Sequence, residues 1–233
     1  MRLQAQERAA NMDIFDIIGP VMIGPSSSHT AGAVRIGRVA VDILGQRAVR
    51  AEIGLSGSFA QTFRGHGTDR ALVAGILGFG PDDARIRDSL RLAGPLGLEY
   101  VFYEENLQNA HPNTAVLRLW GEGGAQCEVQ GASVGGGNIL ISRINDMETC
   151  VTGQQETLIV LHRDEPGMIA AVTGRVADSG LNIGNFRLSR PKKGAQAVMT
   201  LETDAPVPAP LLGELRGLSG ILRVVPIPAN KSV

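Results

Sequence analysis

Hydrophobic and polar positions follow two regimes, which change over near residues 150–156. In the first part an apolar run, Ile14–Ile23, ends at GPSSSHT, residues 24–30. A 3.6-residue period then predicts a helix over Ala31–Leu44, with Val34, Val41 and Leu44 on one face. Val49, Ala51, Ile53 and Leu55 alternate with Arg50, Glu52 and Gly54, the period of a half-buried strand. SGSFAQTFRGHGTD, residues 56–69, reads as a loop, from which Thr68 or Asp69 caps a helix through Ala71–Leu77. Asp82–Leu92 reads as helix, and Leu98–Tyr103 and Thr114–Trp120 as strands. Cys127–Val129 and Ile139–Ile144 read as strands flanking a glycine-rich loop, GASVGGGN, residues 131–138.

The second part is more regular. Thr157–His162 is a strand by pattern, and DEPG, residues 164–167, leads a helix over Met168–Ser179 that Gly180 stops. Leu181–Leu188 and Ala195–Thr203 follow as strands, Pro208–Arg216 as a short helix and Ile221–Ile227 as a last strand. The order βαββαβ is the ferredoxin-like arrangement. The expected fold class is therefore α/β (α+β): a mixed domain over residues 12–150, a linker at 151–156 and a βαββαβ domain at 157–228.

Composition sharpens this picture. Of 233 residues, 43% are hydrophobic and 19% charged, which is enough apolar content to build a core and excludes a disordered chain. A net charge of -1 argues against a nucleic-acid partner, since phosphate neutralisation needs a basic face. No apolar run nears the roughly 18 residues of a membrane span, and MRLQAQERAANMD lacks a secretory h-region. The expectation is a cytoplasmic protein whose residues 1–11 are an extension or an early start. Cys127 and Cys150, the 2 cysteines, are too few for a disulfide scaffold, a structural zinc or an iron–sulfur cluster. No metal site is expected in this chain. The 30 glycines stand out, because glycine lets backbone approach a ligand closely.

Four segments carry polar groups in arrangements suited to chemistry. Ser26, Ser27, Ser28, His29 and Thr30 stand at a predicted helix start, where free N–H groups favour an anion; the same residues also serve as an ordinary N-cap. His66, between Gly65 and Gly67, is either an approachable base or a solvent histidine in a loop. HPN, residues 111–113, and GGGN, residues 135–138, are by themselves turns. Cys127 lies in a strand pattern as a small core residue, and His162 reads as a surface or interface histidine.

Taken together, FDIIGPVMIGPSSSHTAGAVRIG (15–37), GSFAQTFRGHGTD (57–69), HPNT (111–114) and SVGGGNI (133–139) resemble the β subunit of iron–sulfur-dependent L-serine dehydratase. Residues 157–228, with LHRDEPGMIAAVTGRVADSGLNIGNFRLSR, resemble an ACT domain, a small-molecule-sensing module. The resemblance implies elimination of water from L-serine through an aminoacrylate, giving pyruvate and ammonia. It implies a four-iron four-sulfur cluster held by cysteines of a separate α subunit, the required partner. It makes His66 the base, has Thr68 orient it, and puts His111 near the site mouth. Ser26, Ser27, Ser28, His29 and Thr30 would bind the substrate's carboxylate and amino end, with Asn113, Gly135 and Gly136 beside them. Asp164, Pro166, Gly167, Asn182 and Ile183 match the positions where ACT domains take amino acid effectors. Those sites form between paired domains, which implies a homodimer or hetero-oligomer. The first part also resembles a regulatory domain of some phosphoglycerate dehydrogenases, so the competing reading is a non-catalytic amino acid or hydroxy-acid sensor.

Overall fold

A computed structural model describes residues 26–230; the apolar run Ile14–Ile23 and Gly24 lie outside the described residues. The serine segment closes in a π-type turn, Ser28–Gly32, that runs straight into α1, Ala33–Leu44. There follow β1 (Ala48–Ser56), α2 (Ser58–His66), α3 (Thr68–Ile76), a 3-10 turn (Ala84–Asp88), α4 (Ser89–Ala93) and β2 (Glu99–Glu104). An antiparallel run completes this part: β3 (Thr114–Gly121), β4 (Gln126–Gly135), β5 (Asn138–Ile144) and β6 (Met147–Val151). The strands form one sheet in the order β2-β1-β3-β4-β5-β6, and β1 and β2 pair in parallel. A parallel pair needs a crossover, which the segment from α2 to α4 supplies. Val34, Ile36 and Ile43 of α1 and Leu72 and Val73 of α3 share one core with Ile53, Leu117, Leu119, Val129 and Ile141 of the sheet.

Helices α1 and α3 meet backbone to backbone. A Cβ on Gly37 would lie 2.6 Å from Leu72 O, and one on Gly75 would fall onto Val34 O. Glycine at both positions allows that approach.

Three segments differ from the pattern reading. Residues 56–69 are not a loop, because Ser58–His66 is helix. Phe59 and Phe63, four residues apart, turn one face inward, and Gly67 in the left-handed region (φ 75°) ends the helix. Asp82–Leu92 is broken into the 3-10 turn and α4, since the Asp83 carboxylate accepts from Arg85 N at 2.9 Å and caps the turn. Within GASVGGGN the strand continues to Gly135. The turn is only Gly136 and Gly137 (φ 58° and 77°), the two positive φ values of a tight type I′ hairpin.

The second sheet has the expected order: β7 (Glu156–Arg163), α5 (Met168–Asp178), β8 (Ile183–Ser189), β9 (Gln196–Thr203), α6 (Ala209–Arg216) and β10 (Ile221–Ile227). Its strands lie β10-β7-β9-β8, all antiparallel. Strand β7 is apolar on both faces for a reason. Leu158 and Val160 pack with Val172, Val176, Leu211 and Leu215, while Ile159 and Leu161 join the core of the first sheet. His162 is buried at 1% exposure and not at the surface; its Nδ1 lies 2.7 Å from Arg163 O. It has the phase of Leu158 and Val160 on a strand with no free face.

The two sheets grip α1 at both ends. Arg223 of β10 donates to Leu44 O at 3.0 Å, where the helix stops. Arg35 donates to Gly137 O at 3.1 Å, Gly153 O at 3.3 Å and Pro228 O at 3.4 Å, joining the hairpin, the connection between sheets and the end of β10. Among the described residues no helix is long and apolar enough to cross a membrane.

Candidate functional site

The site is built around the serine turn. Thr30 N donates to Ser26 O at 2.9 Å and Gly32 N to Ser27 O at 3.0 Å, so the turn is wound through its backbone. The expected serine cap on α1 is absent, because Gly32 precedes the helix. The cap-like bond is one turn earlier, from His29 N to Ser26 Oγ at 3.3 Å. Gly32 is fixed by β4: a Cβ there would fall onto the Ser133 hydroxyl and lie 2.7 Å from Ser133 Cβ.

His29 is the hub. Its Nδ1 lies 3.3 Å from Ser26 Oγ and its Nε2 3.3 Å from Thr62 Oγ1. Phe59 meets the ring edge-on at 5.3 Å between centroids, and His66 does so at 4.7 Å with the planes at 87°. Burial, and then the charge of His66, lower its pKa below the ordinary 6.5. The unfolded chain therefore takes up a proton at this residue at higher pH than the folded chain does. Stability is complete above the unfolded value and falls as pH drops through 6.5. Thermal unfolding from neutral to mildly acidic pH should show this decline, and His29→Gln should flatten it. An identical slope in the two proteins would contradict the linkage.

His66 is the last residue of α2 and is exposed. Thr68 does not orient it. Past the left-handed Gly67 the chain turns inward, and Thr68 begins α3 fully buried, with no partner for its Oγ1 among the described residues. Among the described residues, the neighbours of His66 are His29, which it touches, and Thr62, one helical turn back.

HPN packs against the start of α2, where Phe59 N donates to Pro112 O at 3.2 Å. His111 is exposed there, its Nδ1 accepting from Asn113 N at 3.1 Å. Pro112 O meets α2 at Phe59, and His66 ends the helix seven residues on, roughly 10 Å along its axis. Asn113 ties the loop to β4, since its O accepts from Ser133 N at 3.0 Å and its Nδ2 lies 3.5 Å from Ser133 O. Ser133 is buried under Gly32, and its Oγ has no partner among the described residues. Gly136 and Gly137 have their carbonyls taken by Asn230 at 3.4 Å and Arg35 at 3.1 Å; Gly135 pairs with Asn138.

Phe59, Thr62 and Ser133 belong to this cluster and are not singled out by the sequence. A helix over Ser58–His66 would have exposed the signal, because Ser58, Thr62 and His66 are spaced four apart on one stripe.

The five effector positions do not form one site within a chain. The Asp164 carboxylate accepts from Gly194 N at 2.8 Å and from Arg190, and these bonds hold it below the usual carboxylate range. Pro166 and Gly167 are exposed beside it. Asn182 donates to Asp204 Oδ2 at 2.8 Å, next to Ile183 at the far end of β8. Asp164 lies by Ala195 and Asn182 by Asp204. The length of β9 separates the two groups by roughly 25–30 Å at ~3.3 Å per residue.

Cys127 is a core residue: its Sγ lies 3.6 Å from Ala40 O, and burial pushes the thiol up to about 12. Cys150 is exposed on β6. Among the described residues no group of three or more His, Cys, Asp or Glu is placed to hold a metal.

The serine dehydratase beta chain family model matches residues 11–94, and the ACT domain model matches residues 157–220. The probable L-serine dehydratase beta chain of Bacillus subtilis is 42% identical over 92% of this chain and 97% of its own length. The L-serine dehydratase beta chain of Peptoniphilus asaccharolyticus is 40% identical over 88% of this chain and 92% of its own. The chain belongs to the L-serine dehydratase beta-chain family. A D-3-phosphoglycerate dehydrogenase of Synechocystis sp. is 31% identical over 39% of this chain and 16% of its own length. In this serine dehydratase beta chain the family match takes in the serine turn, α2 and α3, whereas His111, Asn113 and Ser133 fall outside it.

Proposed function

We propose that this beta chain is the proton-abstracting and substrate-binding half of an L-serine dehydratase, which converts L-serine to pyruvate and ammonia with an α partner. The observation that carries this reading is the contact between His29 of the serine turn and His66 at the end of α2: an exposed His66 against a His29 whose basicity burial lowers.

The family's four-iron four-sulfur cluster does not fit the residues present. Cys127 and Cys150 stand on different strands, one a core thiol pushed up to about 12, with no group of metal ligands around either among the described residues. The cluster is assigned to the α subunit. This chain supplies the base. His66 takes the α-proton of L-serine as hydroxide leaves the β-carbon, proton and hydroxide together making up the water lost; the aminoacrylate left behind tautomerises to an imine that water hydrolyses to pyruvate and ammonia. His29 stays neutral beside it, so the new imidazolium meets no neighbouring cation. The partly exposed hydroxyls of Ser27 and Ser28 and the turn's leading N–H groups suit the substrate carboxylate. Gln61, Arg64, Gly65 and His66 face solvent along α2, the side a partner must close.

In the ACT part, β8 is an exposed edge strand, with Phe186 at 38% exposure. A second copy paired antiparallel along it would set Asp164 of one chain near Asn182 of the other. That pairing would complete an amino acid effector site between two chains.

Anaerobic co-expression with the α chain, followed by a pyruvate assay on L-serine, should give activity for the pair and none for either chain alone. Pyruvate formed by this chain alone would overturn the division of labour. L-serine binding without turnover in the complex would establish the sensor reading instead.

A further inference from the structure

The protons around His29 can be counted. Thr62 Oγ1 lies 2.8 Å from Ser58 O, a carbonyl that only accepts, so the single threonine proton is committed there. Toward His29 Nε2, 3.3 Å away, Thr62 can then only accept, and Nε2 must carry a hydrogen. A neutral imidazole has one N–H, so Nδ1 is a lone pair. Ser26 Oγ, 3.3 Å from Nδ1, therefore donates its proton to the ring. Ser26 Oγ also accepts from His29 N at 3.3 Å. Its hydrogen and one lone pair are used, and one lone pair remains.

We propose that Thr62 is a positioning residue that fixes His29 as the Nε2–H tautomer and so presents Ser26 to the substrate as a hydrogen-bond acceptor only. An acceptor cannot serve a carboxylate; it fits the ammonium of an amino acid. Ser26 thereby separates from Ser27 and Ser28, whose hydroxyl protons have no such commitment among the described residues and suit the carboxylate. The inference about the ligand rests on the dehydratase reading of the site. The inference about the tautomer does not.

A threonine at this position does two things that a merely space-filling residue would not. It spends its proton on its own helix at Ser58, and it faces the histidine across the gap between α2 and the serine turn. Thr62→Val keeps the shape and removes the oxygen, whereas Thr62→Ser keeps the oxygen.

The test is long-range imidazole 1H–15N correlation on the full chain, which has only 4 histidines, with His29 assigned through His29→Gln. Wild type and Thr62→Ser should show the Nε2–H pattern, and Thr62→Val should lose it while the other three rings keep theirs. Persistence of Nε2–H in Thr62→Val overturns the proposal. In the enzyme paired with its α chain, Thr62→Val should raise KM for L-serine about tenfold, the loss of one hydrogen bond to a charged group, with recovery in Thr62→Ser. An unchanged KM removes the acceptor role of Ser26. If the paired enzyme does not turn over serine at all, the dehydratase reading fails, while the tautomer measured on the chain stands or falls separately.

Discussion

Replacing His66 with glutamine should lower turnover of the paired enzyme by about 10²–10⁴-fold, the range that general bases contribute. The side chain ends α2 in solvent, and among the described residues its ring contact is the edge of His29. Its loss should therefore leave thermal stability and complex formation close to wild type, as surface substitutions do, within about 0.5 kcal/mol. A second signature follows from the pair. The charge of His66 is one of the two causes holding His29 below its ordinary 6.5, so His29 should titrate closer to that value in His66→Gln. Turnover within a few-fold of wild type would remove His66 from the base role, whatever became of His29.

Gly75→Ala should destabilise the chain by about 1–3 kcal/mol or more, the cost of overpacking a closed core. The added carbon would fall onto Val34 O and lie 3.0 Å from both Arg38 N and Gly37 Cα. All three are backbone atoms, so no side chain can rotate away. Gly65→Ala is the matched control, since nothing lies within 4 Å of a Cβ there and the residue is inside a helix. It should stabilise by about 0.5–1 kcal/mol through lower entropy of the unfolded chain. Equal unfolding midpoints for the two variants would contradict the close helix approach. Val34 is two residues past Gly32, so the same strain should reach the serine turn and weaken activity before the fold is lost.

How far such features can be read from sequence depends on whether a residue answers to its neighbours in the chain or to distant ones. The second sheet was legible because its strands and helices keep their periods and end at turn residues such as Gly180. Helix α2 was not. It offers only one inward pair, Phe59 and Phe63, among glycines that read as loop, and its start is held by Pro112, 53 residues further along the chain from Phe59. Gly131 misled in the same way. It looks like a loop residue, but it sits in β4 because a Cβ would press within 2.8 Å of Ile141 and 3.0 Å of Ile36. The serine turn and His66 stood out by composition, and the structure puts His29 and His66 in contact. Thr62 and Ser133 carry no such mark, since a lone threonine and a lone serine are ordinary until the elements that hold them meet. Thr68 shows the reverse error: it stands two residues from His66, yet a left-handed glycine between them sends the two side chains apart.

The grip on α1 has a mechanical consequence. A twelve-residue helix is about 18 Å long and stiff, and its leading end carries the serine turn. Arg223 holds its trailing end and Arg35 ties its leading half to the carbonyl that follows β10. The helix thus forms a stiff link between the ACT sheet and the serine turn. Any shift of β10 caused by a ligand or a neighbouring subunit would arrive at Ser26 and His29 as rigid motion, with no flexible loop to absorb it. Because coupling of binding free energies is reciprocal, ligands at the ACT sheet and at the serine turn that are linked through α1 would change each other's affinity by the same factor.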